Sequence, residues 1–557
     1  MYKIMKIRNI FSLAAVTLCV AFALSGCIKE TFPKTGNITE GQMLAADTEV
    51  VLEKLLPGIN ASMLGMCYSS DMHSDYGQFS MGIFLDYSTD WIVNMGDARY
   101  NHFNQAMWGQ GYGPSGTMSY FVWWRYYPQI RKCNQIIDIA GDEESLAFYR
   151  GTAKAYRAMF YLDLARLFEP MYSDAPNIPN YNDELYSRDV IGKTVPYIDE
   201  TFVHDAEKAE NNPRLTREEM FTRILADLKD AEECLKDFNR ANASEINLAV
   251  VYGLYARAYM WLGGFDDGLN GELPEGNAAY TLASEYAQKT IAAHGGYVMT
   301  EAEWTNVNNA FNTIVPSWIL AQIYSSDTVN SNLHNHPAHF SPELIESYCA
   351  LFVFPGVPNR VYDKLGNADI RKKIMKGPDT TYEQFKNYTL MSADEFEGVP
   401  PYTFFKYRPG SGNRTDNMVA AAISLPLMRL EEMYFIDMEA TLHTQGVDAA
   451  WQKLMSFMSY RDSNYICPVA DYDGMLEEII FQKGVEFWAE GIIMYDMKRL
   501  GMGIKRKYTG TNFDEKSQFN TTSRVPWWNF CIPMGETDMN LGIEANNPDP
   551  SNGVTFN

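Results

Sequence analysis

The sequence predicts a mostly α fold of helical hairpins stacked in chain order, with a long loop-rich region packed over them. Three observations predict it. Apolar residues recur at helical period through several long stretches, short glycine-bearing turns separate those stretches, and the period is lost between residues 297 and 420. A chain of 557 residues can bury a large core, and size limits favour more than one closely packed subdomain.

The chain opens with Lys3, Lys6 and Arg8, then an apolar run from Ile10 to Ala23, then Leu24-Ser25-Gly26-Cys27. A basic start, an apolar middle and small residues before a cysteine make a lipoprotein signal, residues 1–26. Small side chains at Ser25 and Gly26 suit a peptidase cleft, and the Cys27 sulfur is the atom that would carry the lipid. The run is shorter than the roughly 20 residues that a membrane-spanning helix needs. An ordinary cleaved signal with no role for Cys27 is the alternative. Several acyl chains on one N-terminus hold a protein firmly, at about 0.8 kcal/mol for each buried methylene. Residues 27–42 are polar, with Pro33, Gly36 and Gly41, and read as a tether.

Residues 43–296 form the helical-repeat region. Trp123, Tyr127, Ile130 and Ile137 mark a stripe on a helix from Tyr120 to Ile139, and Tyr149, Ala153, Tyr156, Phe160, Leu164 and Leu167 mark another from Leu146 to Phe168. Thr216 and Glu219 make a capping box ahead of Phe221, Ile224, Leu228 and Leu235. Two more helices, Leu248 to Leu262 and Ala278 to Ala293, stop at Gly263-Gly264 and Gly295-Gly296. Small residues (Ala256, Ala258, Ala283, Ala287) alternate with aromatics as in tetratricopeptide-type packing, where they let helices approach.

Residues 297–420 are rich in Asn, Pro, Gly and aromatics and read as ordered loops, which commonly carry function. Helical character returns in 421–503, at Pro426 to His443, Val447 to Tyr460, and Met475 to Leu500. Gly484 and Gly491 inside the last would each cost about 1 kcal/mol against alanine, so close packing is expected at both. Residues 504–557 are irregular.

The net charge of −24 becomes more negative once Lys3, Lys6 and Arg8 are removed with the signal. Nucleic acid needs dense Lys and Arg, so it is excluded as a partner, and polyanionic substrates are disfavoured. Cys67, Cys133, Cys234, Cys349, Cys467 and Cys531 are too dispersed for a zinc knuckle or a redox pair. They read as buried thiols, with oxidation of a pair left open by export.

Glu486 and Glu490 stand four residues apart with Lys498 and Arg499 beyond them, while Arg429 and Glu432 sit on another helix. The spacing favours scaffold ion pairs. The other reading is a glycosidase acid and base, which need about 5 to 9.5 Å between carboxylates across a cleft. His334, His336 and His339 read as a loop, with zinc the alternative. Asp471 and Asp473 read as a hydrated turn, with a structural calcium the alternative. No cofactor motif, GxSxG elbow, P-loop or HExxH is present.

Several local patterns resemble one family. They are Trp124-Arg125-Tyr126-Tyr127 with Ile130 and Asn134; Ala153 to Leu164; Asp369-Ile370-Arg371; Lys406-Tyr407; Arg429 to Met433 with Glu439-Ala440; Lys483 to Gly491 with Asp496 to Gly501; and Ile532-Pro533 with Glu536. Together with the lipobox they resemble the SusD-like (RagB/SusD) family of outer-membrane nutrient-binding lipoproteins. Lys483-Gly484 stands where the family has Glu-Arg, Ile493 where it has Arg, and Leu500 where it has Trp. The resemblance implies a non-enzymatic lipoprotein, anchored in the outer membrane by lipid only and facing outward. It would capture oligosaccharides and deliver them to a TonB-dependent (SusC-like) transporter. Peptide capture in the same kind of complex and a lipid-anchored glycoside hydrolase are the alternatives.

A sugar needs flat aromatics ringed by amides, carboxylates or arginine. Two stretches fit, one with Asp90, Trp91, Asn94, Tyr100, Trp108 and Tyr112, the other with Trp304, Tyr324, Asn332 and His336. Core packing is the competing role for each ring, because large aromatics are mostly buried.

Overall fold

In the computed structural model the described residues are 47–67, 74–96, 102–170, 190–327 and 334–550, so Cys27, Tyr100 and Asn332 lie outside them. The chain forms two units, Met1–Val51 and Leu52–Asn557. Of the first, residues 47–51 are described and are helical from Thr48. The elements that follow belong to the second.

After α1 (Pro57–Leu64) and α2 (Gln78–Tyr87) come the long helices α3 (Thr117–Ala140), α4 (Ala147–Phe168), α5 (Arg217–Leu235), α6 (Leu248–Gly263) and α7 (Gly276–His294). Each of these five packs on the next in chain order, which is the stacked-hairpin arrangement expected. Local chemistry sets their ends. The Thr216 side chain accepts from the Glu219 N–H while Glu219 accepts from the Thr216 N–H, so both orphan donors at the start of α5 are satisfied. Asn247 caps α6 by accepting from Val250 N–H. Gly295, left-handed at φ 68°, closes α7. Ala256, Ala258, Ala283 and Ala287 lie fully buried at the α6/α7 seam.

α7 packs next on α8 (Leu430–Gln445), more than a hundred residues later; α9 (Val447–Met458) and α10 (Tyr472–Glu486) complete this part around Phe435, Leu442, Leu454, Phe457 and Ile479. The residues in between form short helices and loops, as their lost periodicity predicts. Three two-stranded antiparallel sheets pin these loops. β1 (Val93–Gly96) pairs with β5 (Val353–Gly356), β2 (Lys193–Pro196) with β3 (Arg214–Thr216), and β4 (Trp318–Ile323) with β6 (Ser424–Arg429).

Two expectations are corrected. Pro426 does not open a helix: it lies in β6 opposite Ala321, and α8 starts only at Leu430. A proline pushes the residue before it into extended backbone and donates no hydrogen bond, so the Ser424–Arg429 run takes the strand. The stretch from Met475 to Leu500 is not one helix. α10 ends at Glu486, and α11 (Ile493–Arg499) follows a break in which Ala489 (φ 59°) and Gly491 (φ 77°) are both left-handed. Both glycines are nonetheless sites of close packing. A Cβ on Gly491 would stand 2.3 Å from the Gly82 Cα of α2, and one on Gly484 would stand 2.4 Å from the Trp91 ring.

All six cysteines in the described residues are free thiols, and Cys133, Cys349, Cys467 and Cys531 are buried. Among the described residues no helix is long and apolar enough to cross a membrane.

Candidate functional site

The charges on α8, α10 and the break after α10 meet in the interior. Arg429, at the end of β6, holds Glu490 in a fork, with Nε donating to Oε2 at 2.8 Å and Nη2 to Oε1 at 2.9 Å, and reaches Glu486 at 3.2 Å. Arg461 donates to both Glu486 oxygens (2.8 and 2.9 Å), and Lys406 donates to Glu490 at 2.5 Å. Glu432 belongs elsewhere: its carboxylate takes both donors of Arg257 at 2.7 Å. Arg499 pairs with Glu439 at 2.7 Å and Asp496 at 3.0 Å. Lys498 donates to the carbonyls of Arg166 and Trp528.

Burial alone would raise the pKa of Glu486, yet Arg461, Arg429 and Arg371 reverse that and hold it well below the carboxylate range. Burial lowers Lys406 to about 8 despite Glu490. Nearby, burial lifts Asp86 to about 8, against the pull of the Gly491 N–H that donates to it at 2.8 Å. A glycosidase acid must keep its proton and touch solvent-borne substrate. Glu486 is ionised, and both it and Glu490 are locked by buried cations, so this pair holds the scaffold together.

Most of the expected ligand residues are in the core, which corrects their assignment to a binding surface. Trp91 is buried against Gly484, with Arg360 5.7 Å from its ring. Asp90 pairs with Arg360 at 2.8 Å and accepts from the Lys505 N–H. Asn94 accepts from Tyr87 Oη and donates to Asn104. Tyr112 meets Phe530 edge-on, and Trp304 lies between Phe311 and the Arg461 guanidinium. His336 is buried among Tyr76, Phe79, Phe340 and Tyr407, with neither ring nitrogen bonded, and burial lowers its pKa well below the usual value. Large flat rings remove the most apolar area from water, so residues flanking a core take it up first.

Trp108 and Tyr324 are half-buried. The Trp108 indole N–H donates to Ser517 Oγ at 3.0 Å, and Tyr324 Oη donates to the Tyr76 carbonyl at 2.8 Å. His336 and His339 are buried against rings, and among the described residues no three His, Cys, Asp or Glu side chains are grouped to hold a metal. Asp471 uses its carboxylate to cap α10 at the Gly474 N–H.

The structure does bring the two stretches together. The short helix His336–Phe340 packs on Tyr348–Leu351, on Asn417–Ala421 and on β5, which pairs with β1. A row of rings runs outward from it. His339 stacks on Tyr76 at 5.6 Å and lies 4.9 Å from Tyr348, which lies 5.1 Å from Phe352. The row surfaces at Phe352, 48% exposed, beside Leu351 at 60%, with Ile345 and Val419 also exposed. Between them Glu346 is exposed and left-handed at φ 56°, a conformation that costs a non-glycine residue about 1 kcal/mol or more. Phe352 with its neighbour Leu351, and the exposed Ile345 and Glu346 earlier on the same stretch, are the candidate site. Sequence reasoning missed Phe352, which lies in the loop-rich 297–420 region but beyond the two aromatic stretches singled out for a sugar.

No family model matches the chain, and no curated protein matches it in sequence. In three dimensions a SusD-like carbohydrate-binding protein from Bacteroides vulgatus superposes with a TM-score of 0.67 at 20% identity, over 92% of this chain and 99% of that one. The chain has the SusD-like fold. A SusD superfamily protein from Bacteroides thetaiotaomicron matches at TM-score 0.64 and 18% identity, over 90% of this chain and all of that one (100%). Surface glycan-binding protein A from the same organism, in complex with laminarihexaose, matches at 0.61 and 17%, over 89% and 99%. In this chain's version of the SusD-like fold, the loop-rich residues 297–420 carry the Ile345–Phe352 face.

Proposed function

We propose that the protein captures oligosaccharides at the cell surface, held there by lipid on Cys27, and passes them to a TonB-dependent outer-membrane transporter. The observation that carries this reading is the shared fold with a glycan-binding protein whose structure holds laminarihexaose, matched over 89% of the chain. Phe352 supports it from the chemistry side. An exposed ring suits the C–H face of a pyranose, and the exposed Glu346 carboxylate, six residues earlier in the chain, suits hydroxyl groups. The lipobox supports a tethered role, and the locking of Glu486 and Glu490 by buried cations supports a non-catalytic one.

Isothermal titration of the protein with laminarihexaose, backed by affinity gels cast with a panel of neutral polysaccharides, tests the capture reading. Retardation by at least one polysaccharide is expected, with loss of about tenfold or more in affinity on Phe352→Ala. Binding unaffected by that change removes the site, and a panel with no retardation removes the reading. Radiolabelled palmitate entering the native protein, and co-purification of a large barrel from mild detergent, test the anchor and the transporter.

A further inference from the structure

The outward side of α3 carries a cleft of about 440 Å³ that the glycan reading does not use. Trp124, Tyr127, Phe202, Val203 and Glu536 are among its walls, and its size falls within the range of ligand cavities. The Trp124 indole is 46% exposed and meets Tyr120 edge-on. A short helix, Met534–Met539, is strapped across the end of the cleft. The Gly535 N–H donates to Tyr120 Oη at 3.1 Å, and the Leu541 N–H donates to the Glu210 carbonyl at 2.7 Å. Met534 and Met539 (72%) of the strap, and Leu541 (78%) just past it, are exposed. Aromatic and methionine side chains are what protein interfaces gather at their centres, and contiguous exposed apolar groups mark such surfaces.

The polar groups say what kind of visitor fits. The cleft's asparagines are already used: Asn134 donates to the Ile198 carbonyl, Asn212 to the Tyr197 carbonyl, and Asn540 to the Asn212 carbonyl and to Glu536. A sugar would find the exposed Gln135 amide but none of the three asparagines uncommitted. Charge remains. The exposed or half-exposed carboxylates Asp199, Asp205, Glu207, Glu210 and Asp538 outnumber the cations Arg131, Lys132 and Lys208 on the same segments. An apolar centre inside an acidic rim is complementary to an apolar anchor flanked by positive charge.

We propose that this cleft docks a basic, extended segment of a partner protein, which inserts one large apolar side chain beside Trp124. The inference stands apart from the glycan reading, because it uses a different face and different residues.

The test is fluorescence anisotropy of the detergent-solubilised full-length protein with two labelled synthetic peptides. One is Lys-Lys-Leu-Trp-Lys-Lys, capped at both ends, and the other replaces each lysine by glutamate. Saturable binding of the basic peptide is expected, weakening as salt rises. Trp124→Ala should cost about tenfold or more in affinity and Trp124→Phe much less. Combined Asp205→Asn, Glu207→Gln and Glu210→Gln, all on the surface, should cost several-fold and flatten the salt dependence. Phe352→Ala should leave peptide binding unchanged. No saturable binding of the basic peptide, equal binding of its acidic twin, an unchanged Trp124→Ala, or displacement of the peptide by laminarihexaose would each overturn the proposal.

Discussion

Trp91 and Gly484 are packed face to face: a Cβ at 484 would stand 2.4 Å from Cζ2 of the indole and 2.5 Å from Cη2. The contact joins the loop after α2 to the last turn of α10, and Trp488 adds to it by donating its indole N–H to the Trp91 carbonyl at 3.1 Å. Gly484→Ala must therefore move a buried ring or a helix. We expect a loss of about 1–3 kcal/mol in urea unfolding, the usual cost of overpacking. A loss no larger than that of an exposed α10 position such as Glu477→Ala would show that the ring yields freely.

Arg429 bridges Glu486 and Glu490 with every group buried. Removing it alone by Arg429→Met leaves two carboxylates short of a cation, at a cost of about 3–5 kcal/mol. Adding Glu490→Gln to that variant should recover part of the loss, because one of the abandoned charges is gone. A double variant less stable than the single one would contradict this account.

Asp86 gives the interior a pH dependence of definite sign. Its folded pKa is raised to about 8 from 3.8, so between those values the folded state holds a proton that the unfolded state has released. The group therefore costs stability progressively as pH rises from about 4 towards 8, by up to about 1.4 kcal/mol per unit, and the cost is constant above. Asp86→Asn keeps an acceptor for the Gly491 N–H and removes the titration. The variant should gain on the native protein across that interval in denaturant titrations at pH 5, 6, 7 and 8. A difference independent of pH would place the titration elsewhere.

Thiol labelling should single out one cysteine. Cys133, Cys349, Cys467 and Cys531 are buried, and burial pushes the partly buried Cys67 up to about 12, which leaves, among the described residues, the half-exposed Cys234 on α5. Under native conditions a bulky thiol reagent should modify Cys234 first, read by peptide mass mapping. Modification of Cys133 at the same rate would mean that α3 and α4 separate readily.

What the sequence disclosed, and what it concealed, follow from the range of the forces. Helices whose signals are local were placed within a few residues, as at Thr216 and Gly295, where a cap needs only its own turn. The packing glycines were legible because an interior glycine needs a reason, although the partner of Gly484 was not. The break at Ala489 escaped notice because nothing local to an alanine announces a left-handed backbone; the approach of Gly82 to Gly491 accompanies it. The site was the least legible part. Trp91 and Phe352 have the same chemistry on paper, and only the fold decides that the first faces α10 and the second faces water.

The seam between α7 and α8 has a consequence for the order of assembly. Hairpins α3 to α7 are built from near neighbours, whereas the surface of α7 is completed only when a helix from beyond residue 430 returns to it. Closing so long a span is slow compared with zipping adjacent helices. A chain that emerges N-terminus first would thus display an unfinished flank until its last quarter arrived, and that flank must be kept apart from other chains until then.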